Sequence, residues 1–202
     1  MTPTHANPSL RQTHRRLAQW NRERLSPCLP DDTDRAALHR EFHMRALEVA
    51  WVEQLRTEAR AITADVPTDF DGFSSWFLGL EANGPGQHDP LFDWLADDAT
   101  LEDLRWFFEQ EAGGEAGFDD LLALTLVKVQ PDAKLGLARN FWDEMGRGNA
   151  SGMHGPLLER GLAALDLEPR IETTVWPSLA LANTMTAFAT HRRYAYHAIG
   201  AL

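Results

Sequence analysis

Two glutamates and one histidine are the residues in this chain best suited to chemistry. Over Leu101–Glu111 the residues Leu101, Leu104, Phe108 and Glu111 step by three and four, so they share one helical face, while Glu102, Arg105 and Glu109 share the opposite, charged face. This spacing predicts that Glu111 turns inward. A second stripe, Leu137, Phe141 and Glu144, lies opposite Asp132, Arg139 and Asp143, and predicts the same for Glu144. A buried carboxylate must find a cation, a hydrogen-bond set or a proton. Two inward carboxylates on facing helices are answered by a metal ion. For either residue alone, a solvated or arginine-paired helix-end glutamate is the simpler reading.

His154 is the third candidate. It follows Glu144 by ten positions. On an unbroken helix the two would be separated by about 15 Å of rise and about 80° of rotation, too far for one ion with bonds of about 2 Å. Gly146, Gly148, Asn149 and Gly152 lie between them and disfavour an unbroken helix. A break there brings both groups to one centre; otherwise His154 caps the helix that Pro156 opens. His39 and His43 have helical i,i+4 spacing, and a solvated pair is expected. His191 flanks Phe188 and is expected to be partly buried, with His197 on the polar side. Cys28 lies between prolines without a basic cluster, which gives a thiolate nucleophile little support.

These groups need helices to carry them. Residues 1–32 are polar and marked by Pro3, Pro8, Pro27 and Pro30, and read as an N-terminal arm with a short helix over Arg11–Arg24; residues 33–202 read as the bundle domain. Helices are expected over Asp34–Ile62 (with Leu38, Phe42, Val49 and Val52 near one stripe), Gly72–Leu80, Pro90–Leu95, Leu101–Glu111, Glu115–Val129, Asp132–Met145 and Pro156–Leu165, and from Pro177 through Tyr196. Thr100 caps one of them, and Gly113-Gly114 ends it. No strand-like alternation of useful length is present, so the fold class is an all-α helical bundle.

Composition bounds the function. The chain has 202 residues with a formal net charge of -11, which argues against nucleic acid and against anionic membrane surfaces as partners. Its single cysteine cannot form an intrachain disulfide. The start is polar rather than a leader, and a cytoplasmic protein is the default expectation.

Three blocks together resemble a known family: Phe107-Phe108-Glu109-Gln110-Glu111, then Phe118-Asp119-Asp120-Leu121-Leu122-Ala123-Leu124, then Asn140-Phe141-Trp142-Asp143-Glu144-Met145-Gly146-Arg147-Gly148 with Met153-His154. They are similar to the iron-containing redox enzymes, which are haem-oxygenase-like di-iron proteins. Asn183, Arg192-Arg193-Tyr194 and the final Ala198-Ile199-Gly200-Ala201-Leu202 extend the likeness, which covers about residues 35–202. The resemblance implies a haem-oxygenase-like bundle without haem. It further implies two irons held by glutamates and histidines, and dioxygen activation for oxidation of a small organic substrate. Carried over by motif, the metal ligands are Glu111, Glu144 and His154, with Glu144 the candidate bridge. The family's further His-x-x-x-Asp-x-x-His motif has no counterpart here, so the expected bundle is incomplete at its C-terminal end. The alternative is a truncated or degenerate helical scaffold without metal, whose open groove favours a homodimer. A third reading, a thiamin-salvage type hydrolase, would need Cys28 as nucleophile.

Overall fold

The computed structural model describes residues 8–29 and 35–202. Every α or β element among them is a helix: α1 (Pro8–Leu25), α2 (Arg35–Ile62), α3 (Phe70–Asn83), α4 (Pro90–Asp97), α5 (Leu101–Gly113), α6 (Phe118–Thr125), α7 (Pro131–Glu144), α8 (His154–Ala164), α9 (Trp176–Thr190) and α10 (Ala195–Ala201). The all-α class expected from the sequence is what the chain adopts. No helix among the described residues is long and apolar enough to cross a membrane.

The chain divides into two compact units, Met1–Ala50 with Arg105–Leu202, and Trp51–Leu104. In the second unit Asp69 caps α3 by accepting from the Gly72 amide at 2.8 Å, and Asp89 caps α4 from Leu91 at 2.9 Å. Neither helix buries a residue. Phe70, Phe73, Phe77, Leu78 and Phe92 all remain exposed.

The first unit is organised around α9. That helix buries Leu179, Ala180, Asn183, Thr184, Thr186, Ala187 and Ala189, and it packs against α1, α6 and α10. The segment expected to be a polar arm differs from a solvated one in the part that is described. Its helix begins at Pro8 and lies along α9, with Leu17 fully buried and His14 and Asn21 buried beside it. The contact is partly polar, which is why hydropathy did not show it: Asn183 Nδ2 donates to the His14 carbonyl at 3.0 Å, and Asn21 Nδ2 donates to Asn183 Oδ1 at 2.9 Å. The His14 ring stacks on Trp176 at 5.8 Å. Burial lowers its pKa to about 4. Met1–Asn7 and Pro30–Asp34, which include the expected start of α2, lie outside the described residues.

Three helical expectations are corrected. On α2 the buried positions are Met44, Glu48 and Val52, while Leu38 and Phe42 are exposed. The i,i+4 row therefore runs through a charged residue that a hydropathy stripe passes over. The helix expected from Pro177 through Tyr196 stops at Thr190. His191 is extended, a 3-10 turn over Arg192–Tyr194 follows, and α10 restarts at Ala195 with Tyr194 buried. Finally, α6 is shorter than Glu115–Val129. Gly117 with φ of 73° precedes it, and Lys128 at φ of 60° lies just beyond.

Candidate metal centre

The break between α7 and α8 is the local structure that matters most. Met145 ends α7, and Gly146, Arg147 and Gly148 follow with φ of 59°, 54° and 86°. Three successive left-handed residues reverse the chain. Asn149 Oδ1 accepts from the Ser151 amide at 3.1 Å and holds the next turn. At Gly146 a Cβ would lie 2.5 Å from the Gly152 carbonyl carbon and 2.7 Å from the Met153 nitrogen. Only glycine allows the two strands of this turn to touch.

The reversal sets the start of α8 beside the end of α7. His154 Nδ1 lies 2.8 Å from Glu144 Oε2. Glu144 is about one-fifth exposed and His154 about two-fifths. The His154 ring stacks on Phe118 of α6 at 6.2 Å, which restricts its rotation and covers one face. Leu137, Phe141 and Glu144 are half-buried while Asp132, Arg139 and Asp143 are exposed, as the stripe on α7 requires.

Glu111 behaves differently. It is exposed, which corrects the expectation that it turns inward. The face of α5 that packs is one residue back. Gln110 is buried, and its Oε1 accepts from the Val175 amide at 2.7 Å. A Cβ at Gly113 would lie 2.3 Å from Thr174 Oγ1, and one at Gly114 would lie 3.0 Å from Ser178 Cβ. The glycine pair that ends α5 thus also lets it approach the segment leading into α9. Leu101 and Leu104 are exposed, so the apolar stripe they form with Glu111 is not the buried one. Among the described residues, no three His, Cys, Asp or Glu side chains lie close enough together to hold a metal ion. The structure brings together Glu144 and His154, and it does not add Glu111 to them.

Residues 105–202 match the model of a family described as an iron-containing redox enzyme. Over these residues, just under half of the chain, the sequence is similar to that family. The match contains Glu111, Glu144 and His154, and all of α6 to α10. It supports a general oxidoreductase role, and it agrees with the all-α, haem-oxygenase-like bundle. No curated protein and no solved structure matches the chain.

The Glu144–His154 pair can be tested against the family's iron directly. Two cis donors, each about 2.1 Å from one ion, stand about 3.0 Å apart. The observed 2.8 Å separation fits one edge of such a site. A carboxylate oxygen with an imidazole nitrogen is also the mixed donor set that ferrous iron accepts.

Sequence reasoning missed the strongest charge cluster in the first unit. Glu48 is 1% exposed. Its Oε1 accepts from Arg24 Nη2 at 2.7 Å, and its Oε2 lies 2.5 Å from His191 Nε2 and 3.8 Å from Arg45 Nη1. Arg24 also stacks over Trp20 at 3.9 Å, and it donates to Asn21 Oδ1 at 2.9 Å and to Thr190 Oγ1 at 3.2 Å. Burial lowers the Arg24 pKa to about 10, against the opposing pull of Glu48. The available signal was Glu48 in the row Met44–Glu48–Val52. Its partners come from α1 and from the end of α9, and no local spacing reveals them. His191 is partly buried as expected, although its partner is Glu48. His197 is half-buried against Phe188 and Tyr194 rather than on a polar face. His39, His43 and Cys28 are exposed.

Proposed function

We propose that this protein is an iron-dependent oxidoreductase that activates dioxygen to oxidise a small organic substrate, with Glu144 and His154 as metal donors. The observation that carries this reading is the 2.8 Å contact between the two side chains, built by a glycine-dependent reversal inside the family match. Iron bound there would supply the one-electron and dioxygen chemistry that side chains lack.

The chain's own residues do the rest. Gly146 and Gly148 bring α8 back onto α7. Phe118 fixes the plane of the His154 ring, so its nitrogens are aimed before a ligand arrives. A hydrogen bond between Nδ1 and the carboxylate sets which nitrogen carries the proton in the free protein, and both donor atoms would have to be unprotonated to hold an iron. Glu111 enters as a third ligand through the family motif, from α5, and is tested separately.

A second reading, a helical scaffold without metal, is favoured by the exposure of Glu111 and by the lack of a three-donor group among the described residues. Anaerobic loading of the full chain with ferrous iron, followed by metal analysis and a melting curve, separates the two. The iron reading expects stoichiometric uptake and a raised Tm, both lost in Glu144→Ala and in His154→Ala. Loss in Glu111→Ala as well would make Glu111 a ligand. No uptake by the parent chain, or uptake unchanged in Glu144→Ala and His154→Ala, overturns the assignment and leaves the scaffold.

A further inference from the structure

We propose that the cavity between α1 and the first half of α2 binds an amphipathic organic anion: a small molecule with an aromatic or alkyl body and one carboxylate, sulfonate or phosphate head. The cavity measures about 730 Å³, within the roughly 300–1,000 Å³ range of small-molecule sites. Trp20, Met44 and Ile171 give it an apolar lining, and the last two are themselves buried. Such a surface takes up the body of a ligand by removing it from water.

The polar part of the lining is cationic on balance. Arg15, Arg16 and Arg40 line the cavity, against Glu23 and Glu172. Glu23 is engaged by Gln19 Nε2 at 2.9 Å. The Glu172 backbone carbonyl accepts from Arg15 Nη2, while the buried Arg15 Nε has no hydrogen-bond partner among the described residues. His39 and His43 add ring nitrogens at the same wall. In a chain of net charge -11, three guanidinium groups around one apolar hollow are a local reversal of sign. Guanidinium groups are suited to carboxylate, sulfonate and phosphate heads. Neither Glu144, His154 nor Phe118 lines this cavity, so the proposal stands or falls independently of the iron reading.

The test uses two fluorescent probes with the same rings. 8-Anilinonaphthalene-1-sulfonate carries the anionic head, and N-phenyl-1-naphthylamine is the same body without it. Each is titrated into the full chain, the Arg16→Glu/Arg40→Glu variant and the Ala36→Trp variant, with circular dichroism confirming helix content. Arg16 and Arg40 are exposed on helices, and the milder Arg16→Gln/Arg40→Gln pair serves if the reversal unfolds the chain. The expected result is saturable binding of the sulfonate at one site per chain. Charge reversal should weaken it at least tenfold, with the neutral probe changed less than twofold. Filling the cavity with Ala36→Trp should weaken both. The proposal is overturned if the sulfonate does not saturate, if reversal weakens neither probe or both equally, or if Ala36→Trp leaves both untouched. The last outcome would place the dyes elsewhere on the surface, where several aromatic residues are exposed.

Discussion

Replacing Gly146 by alanine should damage the candidate centre without touching either donor. Two costs combine. A residue with a Cβ at φ of 59° carries a left-handed penalty of about 1–2 kcal/mol. The Cβ would also meet the Gly152 carbonyl carbon at 2.5 Å, the Met153 nitrogen at 2.7 Å and the Gly152 Cα at 2.9 Å. These are backbone atoms, so no side chain can swing aside, and the overpacking costs about 1–3 kcal/mol more. Together they come to roughly 3 kcal/mol. In a chain of this size each kcal/mol moves Tm by about 2–4 °C, so the expected fall is about 6–12 °C.

Two controls bracket the effect. Gly148→Ala has φ of 86°, and its nearest neighbour is the rim of the Trp142 side chain at 3.0 Å. That ring is half-exposed and can move, so only the backbone penalty of about 1–2 kcal/mol remains. Gly155→Ala, inside α8 with nothing within 4 Å, should gain up to about 1 kcal/mol from helix propensity. Calorimetry on the three variants gives the order. Nitrogen-detected NMR of His154 reports whether Nδ1 still meets Glu144. If Gly146→Ala melts with Gly155→Ala and keeps the His154 signature, the argument that this turn builds the pair is wrong.

Glu48→Gln should cost about 3 kcal/mol, because it leaves the Arg24 guanidinium buried without its counter-charge; chemical denaturation measures this, and a loss below 1 kcal/mol would mean that water already reaches Arg24. Stability should also depend on His14. Its folded pKa of about 4 lies below the unfolded 6.5, so the unfolded chain binds the proton more tightly. The His14 contribution is complete above pH 6.5 and is lost progressively as pH falls to about 4, reaching roughly 3 kcal/mol. Melting curves should show this slope in the parent and not in His14→Gln. Gly113→Ala should lower Tm, because its Cβ would meet Thr174 Oγ1 at 2.3 Å. Thr174→Ala in the same chain should restore part of the loss, and an additive double variant would contradict the close approach.

Much of the bundle can be read in one dimension. Thr100 and Asp103 exchange hydrogen bonds at 2.6–3.2 Å, and Pro90, Pro131 and Pro177 sit in the first turns of α4, α7 and α9. These are local events, and local spacing finds them. The break between Glu144 and His154 was also legible, because the glycines between them argue against a continuous helix, while a capping role for His154 was the competing reading of the same spacing. Orientation was harder. On α5 the apolar stripe through Leu101 and Leu104 faces outward, and the residue that anchors the packed face, Gln110, is polar. The Glu48 cluster was invisible for a related reason. A buried charge is stabilised by groups that are distant in sequence, here Arg24 and His191, and periodicity records only what each residue would prefer when alone.

The amide of Asn183 has one more effect. It is buried at the middle of α9 and reaches two points on α1 that are seven residues, or two turns, apart: the His14 carbonyl and the Asn21 side chain. If α1 slid along α9 by a single notch, the His14 stack on Trp176 would break together with both of these hydrogen bonds. The buried Asn183 amide would then lose both of its partners on α1. Asn183 therefore serves as a detent, admitting one alignment of the helix pair and penalising its neighbours.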